Sequence, residues 1–458
     1  MAIPAAVDNL LRKQNIEFGV EELSAAAEDM PADAVHTMLL HDGTHRLLVL
    51  HAPATLIDLN AITRLTGWPM RAMPYTDVRK ICQQHQMQRL PALPAALGLP
   101  TLVDQRILDQ RSIVLSSGDQ SGWLRLTPEQ FRQSLTGATL GEFSVALSDL
   151  ESGRFDQCDD VEQISKAIAD FTQLRIKQRL EETLEFPPLP DTAQRIVKLR
   201  VDPYADMRSL TNVVELDPSL AAQVVSWAAS PYYAAPGKIK SVHDAIVRVL
   251  GFDLVLNLAL GLALGKSITL PKDAPKGFTP YWQQAVFAAT AVEALVGCIP
   301  SEHRPTIGLS YLTGLLHNFG LLVLAEVFPP HFSSYCRFQE ANPRLGYAPI
   351  ERHLLGITRD QLAAWLMRLW TLPEEVCVGL RFQNDADYAG PHHAFPNLIF
   401  VALRLLRRHG IGNAPLESIP AEMFERLHLD PEKAVLAIQN VIEASDELKA
   451  IAAGLSAA

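Results

Sequence analysis

The stretch Tyr311-Leu-Thr-Gly-Leu-Leu-His-Asn-Phe-Gly-Leu-Leu-Val-Leu-Ala-Glu326 decides how the larger part of this chain is interpreted. Its apolar side chains recur at helical spacing, which predicts a single helix over 312–326 with one buried face. The polar pair His317-Asn318 stands in the middle of that apolar helix. A histidine followed by an aspartate at this point would suit a metal-dependent phosphohydrolase, but here an amide replaces the carboxylate. Two interpretations stay open, a pocket that keeps its chemistry or a surface that only binds.

The length and composition of the chain indicate a globular protein with more than one domain. The 458 residues predict about two to four domains. Hydrophobic residues make up 48% and charged residues 20% of the chain, which is enough apolar material for large cores. The formal net charge of -11 argues against nucleic acid as the main partner.

The cysteines and the apolar segments predict a soluble cytoplasmic protein without a membrane partner. The five cysteines, at 82, 158, 298, 336 and 377, show no CxxC spacing, which favours reduced thiols. The opening sequence MAIPAAVDNLLRKQ lacks the apolar core of a signal peptide. The most apolar run, 254–265, has about a dozen residues, whereas roughly 20 are needed to span a bilayer.

Residues 1–135 are predicted to form an α/β domain, because short alternating runs with turn signals alternate with helical patterns. The predicted elements are a helix at 5–14, a hairpin of strands 37–41 and 46–50, a helix capped by Thr55 and ended by Gly67, a strand pair at 112–117 and 123–126, and a helix opened by Thr127-Pro128-Glu129-Gln130. The hairpin histidines His41, His45 and His51 lack metal-ligand spacing and are interpreted as surface residues.

The order of these elements resembles the YbaK/ProX aminoacyl-tRNA deacylase-like domain. In that family a Lys-Thr-Leu strand supplies a lysine for the aminoacyl-tRNA end, and a glycine-rich segment before a proline lets the backbone approach the substrate. The resemblance implies a deacylase-like pocket at His36 (in His36-Thr37-Met38), Leu90 (in Leu90-Pro-Ala-Leu-Pro94) and Asp104, which keeps the family pattern. Because His36 is shorter than lysine and mostly neutral at pH 7, we expect the fold without editing activity.

Beyond this domain the sequence predicts a connection and then helices. Residues 136–158 are rich in glycine and serine and are interpreted as an inter-domain connection, and 159–184 are predicted to be a long connecting helix. That helix packs on its own domain, acts as a relay between domains or forms a dimer seam. Residues 185–390 show no strand alternation and predict a compact all-α domain. Residues 391–458 predict a helical extension, including one helix from 430 to about 452.

The all-α region resembles the HDOD domain, an all-helical relative of the HD phosphohydrolases that occurs in bacterial signalling proteins, usually without demonstrated catalysis. The resemblance rests on Phe-Pro-Pro-Leu-Pro-Asp at 186–191, Glu-Leu-Asp-Pro-Ser-Leu at 215–220, Ala-Ile-Val-Arg-Val-Leu-Gly-Phe at 245–252, Asn-Leu-Ala-Leu-Gly at 257–261, Gly-Leu-Leu-His-Asn-Phe-Gly at 314–320, Glu351 with Gly356, and Trp370-Thr-Leu-Pro373. It covers about 180–390.

The resemblance also implies where a catalytic HD site would carry its metal ligands. Those positions hold Gln284, His317, Asn318, Arg359, Gln383 and Asn384. One imidazole among neutral amides holds a hard divalent ion poorly, so we predict no catalytic residue, no metal and no cofactor. The polar set predicts either a pocket for an anion or nucleotide or a vestigial cleft whose amides satisfy one another.

The function predicted from the sequence is that of a bacterial signal-transduction protein with a catalytically degenerate HDOD domain. It would bind a signalling protein or a small anionic ligand, as a monomer or a homodimer. One alternative is a metal-dependent phosphohydrolase acting on a cyclic dinucleotide, with His317 and His392-His393 as a rearranged ligand set. We otherwise interpret His392-His393 as a surface loop pair. Another alternative is an editing hydrolase or transfer RNA binder that uses residues 1–135.

Overall fold

The chain forms two compact units, each with its own fold. The computed structural model describes residues 3–22, 31, 33–120, 122–151, 160–177, 188–234, 237–415 and 418–456. The first unit is Met1–Arg154 with Ser334–Leu345, and the second is Phe155–Ser333 with Gly346–Ala458. The first unit therefore includes a short segment that is distant in sequence from the rest of it.

The first unit combines small sheets with short helices, as predicted. Its strands are β1 Gly19–Glu22, β2 His36–His41, β3 Arg46–His51, β4 Thr55–Ile57, β5 Arg71–Ala72, β6 Thr101–Asp104, β7 Ile113–Ser116, β8 Gly122–Leu126, β9 Thr139–Gly141 and β10 Ser144–Ala146. Its helices are α1 Ala5–Lys13, α2 Leu59–Thr66, α3 Tyr75–Gln84, α4 Pro128–Ser134 and α5 Leu147–Glu151, with a 3-10 turn at Gln105–Asp109.

The central sheet of the first unit is mixed, with the strand order β5-β2-β3-β6-β9. Strands β2 and β3 pair antiparallel, with His36 opposite His51, while β6 pairs parallel with both β3 and β9. A second sheet has the order β1-β8-β7, and β10 pairs with β4. The register of the hairpin matters for the site below, because it brings two histidines to one end of β2 and β3.

Two details of the first unit differ from the predictions. The predicted cap at Thr55 is wrong, because Thr55 begins β4 and Asp58 caps α2 by accepting from the N–H groups of Asn60 and Ala61. The helix does end at Gly67, which has a φ of 76°. Residues 139–146, predicted to lie in the connection, form β9 and β10. Strands of three residues are too short to show a period-two pattern.

The second unit is helical, and its described residues contain no strand. Its helices continue the numbering as α6 Asp160–Lys177, α7 Asp191–Val201, α8 Met207–Glu215, α9 Pro218–Ala228, α10 Val242–Ala245, α11 Gly251–Gly265, α12 Tyr281–Cys298, α13 Ile307–Leu316, α14 Phe319–Val327, α15 Pro329–Ala341, α16 Tyr347–Leu355, α17 Arg359–Leu369, α18 Glu374–Phe382, α19 Ala394–Arg408, α20 Ala421–Arg426, α21 Pro431–Glu443 and α22 Ser445–Ser456. The residues of α15 from 334 onward count with the first unit.

The stretch around His317-Asn318 is two helices rather than the single helix predicted. Helix α13 ends at Leu316 and α14 begins at Phe319, with Asn318 between them at φ -107° and ψ 12°. The carbonyl of His317 accepts from Gln383 Nε2 at 2.8 Å instead of continuing the helix. A Cβ on Gly320 would collide with the backbone of Arg359, so the glycine lets α14 approach the start of α17 closely.

The remaining helix predictions are confirmed in part. Asp217 and Ser241 cap α9 and α10 as their sequence patterns indicate. The helix predicted from 430 to 452 divides into α21 and α22. Residues 178–184 of the predicted connecting helix, the start of the Phe186-Pro-Pro-Leu-Pro190 motif, and Cys158 lie outside the described residues.

Two apolar helical stretches are buried inside the second unit. By length and composition, Val242–Gly265 and Ile307–Val327 are sufficient to cross a membrane, but 61% and 94% of their most apolar windows lie buried in the fold. Core helices of soluble proteins show the same character, and the prediction of buried helices here is confirmed. A cytoplasmic location stays a prediction.

Candidate functional site

The structure gathers the predicted HD positions around the break between α13 and α14. Asn318 Nδ2 donates to Gln284 Oε1 of α12 at 3.4 Å, and Asn318 Oδ1 accepts from Arg359 Nη1 of α17 at 2.8 Å. Gln383, just past α18, donates to the carbonyl of His317. The packing of α12 and α18 on α13, and of α17 on α14, brings these residues to one place.

A buried ion pair fills the centre of this site. The Nε of Arg359 donates to Glu351 Oε1 at 2.5 Å, and the backbone N–H of Arg359 donates to Glu351 Oε2 at 2.7 Å. The two side chains are 1% and 0% exposed. The guanidinium carbon also lies over the Tyr347 ring, 4.0 Å from its centroid. Burial raises the pKa of the Glu351 carboxyl, and Arg359 opposes that rise by favouring the carboxylate.

Asp360 joins the remaining predicted residues to the site. Its Oδ1 accepts from Tyr347 Oη at 2.7 Å and from Gln383 Nε2 at 2.8 Å, and its Oδ2 accepts from Asn384 Nδ2 at 3.1 Å. Burial raises the pKa of this carboxyl, while the bonds from Tyr347 and Asn384 lower it. The second carboxylate of the site is therefore already bonded within the protein.

His317 is buried and neutral at physiological pH. Its ring is 2.8 Å, through Nδ1, from the carbonyl oxygen of Gly314. A carbonyl only accepts, so Nδ1 carries the hydrogen and Nε2 of the neutral ring has the lone pair. Burial lowers the pKa of His317 to about 4, and Arg359 adds to this effect.

These residues do not fit a divalent metal centre. The described residues contain no group of three or more His, Cys, Asp or Glu side chains placed to hold a metal ion. The two carboxylates of the site, Glu351 and Asp360, are bonded to a guanidinium and to polar side chains. The alternative ligand His392 is exposed, with its Nδ1 4.0 Å from Glu375 Oε1. A metal would also lie beside the cation of Arg359.

The same site holds the start of helix α6. Asp160 accepts from Arg381 at both oxygens, with distances of 2.5 Å to Nε and 2.8 Å to Nη2. Gln361 Nε2 donates to Asp160 Oδ1 at 2.7 Å and to Gln163 Oε1 at 2.9 Å. Gln361 and Arg381 lie within two residues of the site residues Arg359, Asp360 and Gln383 along the chain. The site and the first turn of α6 therefore share the same supports.

Sequence reasoning missed part of this network. It gave no role to Tyr347, Asp360, Asp160 or Arg381 and treated Glu351 only as part of a motif. One local signal was present, because Thr358 and Gln361 form a capping box that places Asp360 in the first turn of α17. The pairing of Glu351 with Arg359 joins two helices and has no local signal.

The predicted deacylase-like residues are not in one pocket. His36 lines a cavity in the first unit together with His51. Leu90 instead packs, partly buried, against the core of the unit. Asp104 is fully buried and caps the 3-10 turn by accepting from the N–H of Arg106. The interpretation of His51 as a surface residue is wrong, since its side chain is 6% exposed.

Comparison with known proteins matches both units. The HDOD domain family matches residues 186–386, and the aminoacyl-tRNA editing domain family matches residues 17–134. The crystal structure of a protein from Marinobacter aquaeolei VT8, provisionally assigned to signal transduction, is 41% identical with a TM-score of 0.88 and covers 99% of each chain. An HDOD domain protein from Geobacter sulfurreducens is 21% identical with a TM-score of 0.50, over 64% of this chain and 99% of that one, and shares the fold.

A protein from Treponema pallidum (strain Nichols) is 22% identical over 264 residues, which is 57% of this chain and 50% of that protein. The chain thus matches about half the length of this relative. Together, these similarities define a protein with an editing-type α/β unit and an HDOD helical unit. The chain belongs to the HDOD domain proteins and carries an aminoacyl-tRNA editing domain ahead of its HDOD domain. The HDOD domain and the Marinobacter relative support a regulatory role.

Proposed function

We propose that this protein is a regulator whose HDOD domain acts by binding a protein partner and not by metal-dependent hydrolysis. The observation that carries the proposal is the buried pair of Arg359 and Glu351 at the HD site. An HD hydrolase needs anionic and imidazole ligands that face a metal, whose charge activates a water molecule. Here a guanidinium, which is always protonated in proteins, occupies that neighbourhood.

The charges of the site support a closed network. Glu351 neutralises Arg359, and Asp360 is bonded by Tyr347, Gln383 and Asn384. A divalent ion would have to displace the guanidinium and leave a buried charge unpaired, a disruption that costs about 3–5 kcal/mol where it has been measured. Of the two sequence-based interpretations of the amides, mutual satisfaction therefore has more support than a ligand pocket.

The burial of the site favours a protein partner over a small ligand. Of the predicted pocket positions, Gln284, His317, Asn318, Arg359 and Gln383 are at most 6% exposed. A ligand would have to open this packing, whereas a protein partner can act on the outer faces of the same helices. A conformational change of those helices would be transmitted to α6, because Gln361 and Arg381 bind Asp160 at the start of α6. In this proposal, the position of α6 changes with the conformation of the HDOD unit and transmits that change to the rest of the chain.

The test is metal analysis and hydrolysis by the purified full-length chain. We expect no stoichiometric Fe, Mn or Zn, because the site lacks the ligand set that a metal centre needs. We also expect no turnover of a cyclic dinucleotide with added Mn²⁺. Hydrogen exchange would follow the amides of α6 in the wild type and in the Arg381→Gln variant, where faster exchange is expected.

Two variants and one control variant identify the source of any metal. Stoichiometric metal that is lost in both His317→Ala and His392→Ala, but kept in His353→Ala, would establish the rearranged hydrolase instead. Chelator-sensitive turnover that disappears in His317→Ala would do the same. Unchanged exchange of α6 in Arg381→Gln would remove α6 from the proposal while leaving the binding role in place.

A further inference from the structure

A small cavity lies in the first unit, at the end of the β2–β3 hairpin, and part of its wall comes from a distant part of the sequence. It is lined by His36, Thr37 and Met38 of β2, His51 of β3, Thr55 of β4, and residues 341–345. All of these residues belong to the first unit. The editing family match at 17–134 contains every lining residue except 341–345. This segment, which we call the strap, therefore comes from outside the matched domain.

The side chain of Asn342 in the strap binds β4 as a neighbouring strand would. Its Oδ1 accepts from the N–H of Ile57 at 2.8 Å, and its Nδ2 donates to the Ile57 carbonyl at 3.2 Å. On the other edge of β4, Ile57 stands opposite Ser144 of β10. One carboxamide thus satisfies both main-chain groups that Ile57 directs away from β10, and β4 would keep its partner β10 if the strap left.

The remainder of the strap forms a turn at the surface. The N–H of Leu345 donates to the Asn342 carbonyl at 3.1 Å, with Pro343 at the second position of the turn, as such turns favour. Gln339 Nε2 donates to the Leu345 carbonyl at 3.1 Å. Pro343 and Arg344 are exposed and Leu345 is half-buried, whereas Asn342 is 4% exposed. Asn342 is therefore the buried anchor of a surface turn.

The strap limits the space at the end of the hairpin. With the strap in place the cavity measures about 90 Å³. Water occupies about 30 Å³ per molecule in the liquid, so about three water molecules fill it. Pockets for drug-sized ligands measure roughly 300–1,000 Å³. A larger ligand therefore enters this end of the unit only when the strap moves away.

The histidines beneath the strap are neutral and sensitive to its position. The His36 ring meets the His51 ring edge-on, with centroids 5.1 Å apart. Burial lowers the pKa of His36 to about 4 and that of His51 to about 3, and the charge of Arg344 in the strap contributes to both shifts. Departure of the strap would hydrate His36 and remove that charge, so both causes of its lowered pKa would weaken.

We propose that residues 341–345 are a strap that closes this cavity, and that the Asn342 side chain occupies a site at the free edge of β4 for an amide group. A primary amide has an acceptor oxygen beside N–H donors, which is the pair that the N–H and carbonyl of Ile57 require. A ligand with such a group would compete with Asn342 and open the strap. This goes beyond the role proposed for the HDOD unit and does not depend on it, because it concerns the first unit.

Hydrogen exchange of the full-length wild type, resolved to single amides, tests whether the strap opens by itself. The amide of Ile57 donates to Asn342, while the next amide, that of Asp58, donates to the Phe143 carbonyl at 2.8 Å. Ile57 is expected to exchange roughly tenfold faster than Asp58, because local opening of a surface turn needs less free energy than unfolding of the sheet. Equal protection of the two amides would show that the strap opens only with the whole unit and would overturn the proposal.

The amide site is tested by chemical rescue of Asn342→Ala with acetamide, which has the carboxamide that the variant lacks. The variant should speed exchange of Ile57 about tenfold, the loss of two hydrogen bonds, and leave Asp58 unchanged. Acetamide should slow this exchange again, whereas N,N-dimethylacetamide, which has no N–H to donate, should not. Asn60→Ala, at an exposed position of the same unit, should exchange as the wild type does.

Histidine side-chain NMR during a pH titration gives a second readout of the same variant. The pKa of His36 should rise in Asn342→Ala from about 4 towards 6.5, and acetamide should reverse part of the rise. An unchanged pKa of His36 would show that Asn342 does not hold the strap closed. Equal effects of acetamide and N,N-dimethylacetamide, or the same response to acetamide in the wild type and in Asn342→Ala, would overturn the amide site.

Discussion

The HD site of the second unit and the cavity of the first unit have each lost a charged residue of their family, an aspartate in one and a lysine in the other. In each, a position that the family resemblance assigns to chemistry holds a neutral side chain, Asn318 in one and His36 in the other. In each, an arginine is nearby. Arg359 is 1% exposed and sealed against Glu351, whereas Arg344 stands at an exposed turn beside a cavity. The two arginines therefore have different surroundings, since one is buried in an ion pair and the other lies at an exposed turn.

The largest effect on stability is expected from breaking the buried ion pair of Arg359 and Glu351. Glu351→Gln leaves the Arg359 guanidinium buried without a carboxylate, and we expect a loss of about 3–5 kcal/mol in the free energy of unfolding of the second unit. Urea titration followed by tryptophan fluorescence measures it. The control is Glu374→Gln, which removes an ion pair whose side chains are 36% and 51% exposed and should cost about 0–1 kcal/mol. A similar loss in the free energy of unfolding for both variants would contradict the interpretation of Arg359 and Glu351 as a buried ion pair.

The pH dependence of the HD site is expected to be the next largest effect. The pKa of His317 is lowered from 6.5 to about 4, so the unfolded chain binds this proton more readily than the folded chain does. Stability from the neutral ring is present above pH 6.5 and is lost as pH falls towards 4, by about 3 kcal/mol in total.

His317→Gln isolates this contribution, because the other titratable groups, and Arg359, whose charge adds to the lowering of the pKa of His317, are the same in both proteins. The destabilisation caused by His317→Gln should shrink by about 3 kcal/mol between pH 7 and pH 4. The measurement is urea unfolding of both proteins at each pH. A difference that stays constant with pH would show that His317 is not buried as a neutral ring.

Weakening the contacts that hold the start of α6 should reduce the free energy of unfolding by a smaller amount. Asp160→Asn keeps the shape but removes the charge that holds Arg381, and we expect a loss of about 2–3 kcal/mol. Hydrogen exchange should also be faster at the first turns of α6. Asp170→Asn, at an exposed position of the same helix, serves as the control and should leave exchange unchanged. Faster exchange in the control as well would indicate general fraying of α6.

The smallest effect on stability is expected in the first unit. Asn342→Ala removes the side chain that pairs with Ile57 and should cost about 1–2 kcal/mol. Thermal unfolding measures this loss. An unchanged unfolding midpoint would show that the pairing of Asn342 with Ile57 does not stabilise the first unit.

Features with a local cause could be predicted from the sequence. The capping box at Thr127, the caps at Asp217 and Ser241, and the hairpin at Asp42-Gly43 each depend on residues within a few positions of one another. The positions of the HD site followed from a resemblance, and the structure brings them together. The two-domain fold was also predictable, since helical and alternating patterns occupy different parts of the chain.

Features with a distant cause could not be predicted. The break at His317 depends on Gln383, 66 positions away, and on the close approach of α17 to Gly320. The charge balance of the site depends on Glu351, whose pairing is set by the packing of α16 and α17. The cavity wall depends on Asn342 and Ile57. None of these partners leaves a periodic or capping signal in the sequence.

The membership of residues 334–345 in the first unit has a consequence for how this gene can be divided. A cut between the two family matches would yield an editing-type fragment without the strand-like partner of Ile57 and without the arginine at its cavity. Such a fragment would have an incomplete wall and an unpaired edge at β4. The two halves are therefore expected to be inherited as one reading frame, and recombination that separates them should be selected against.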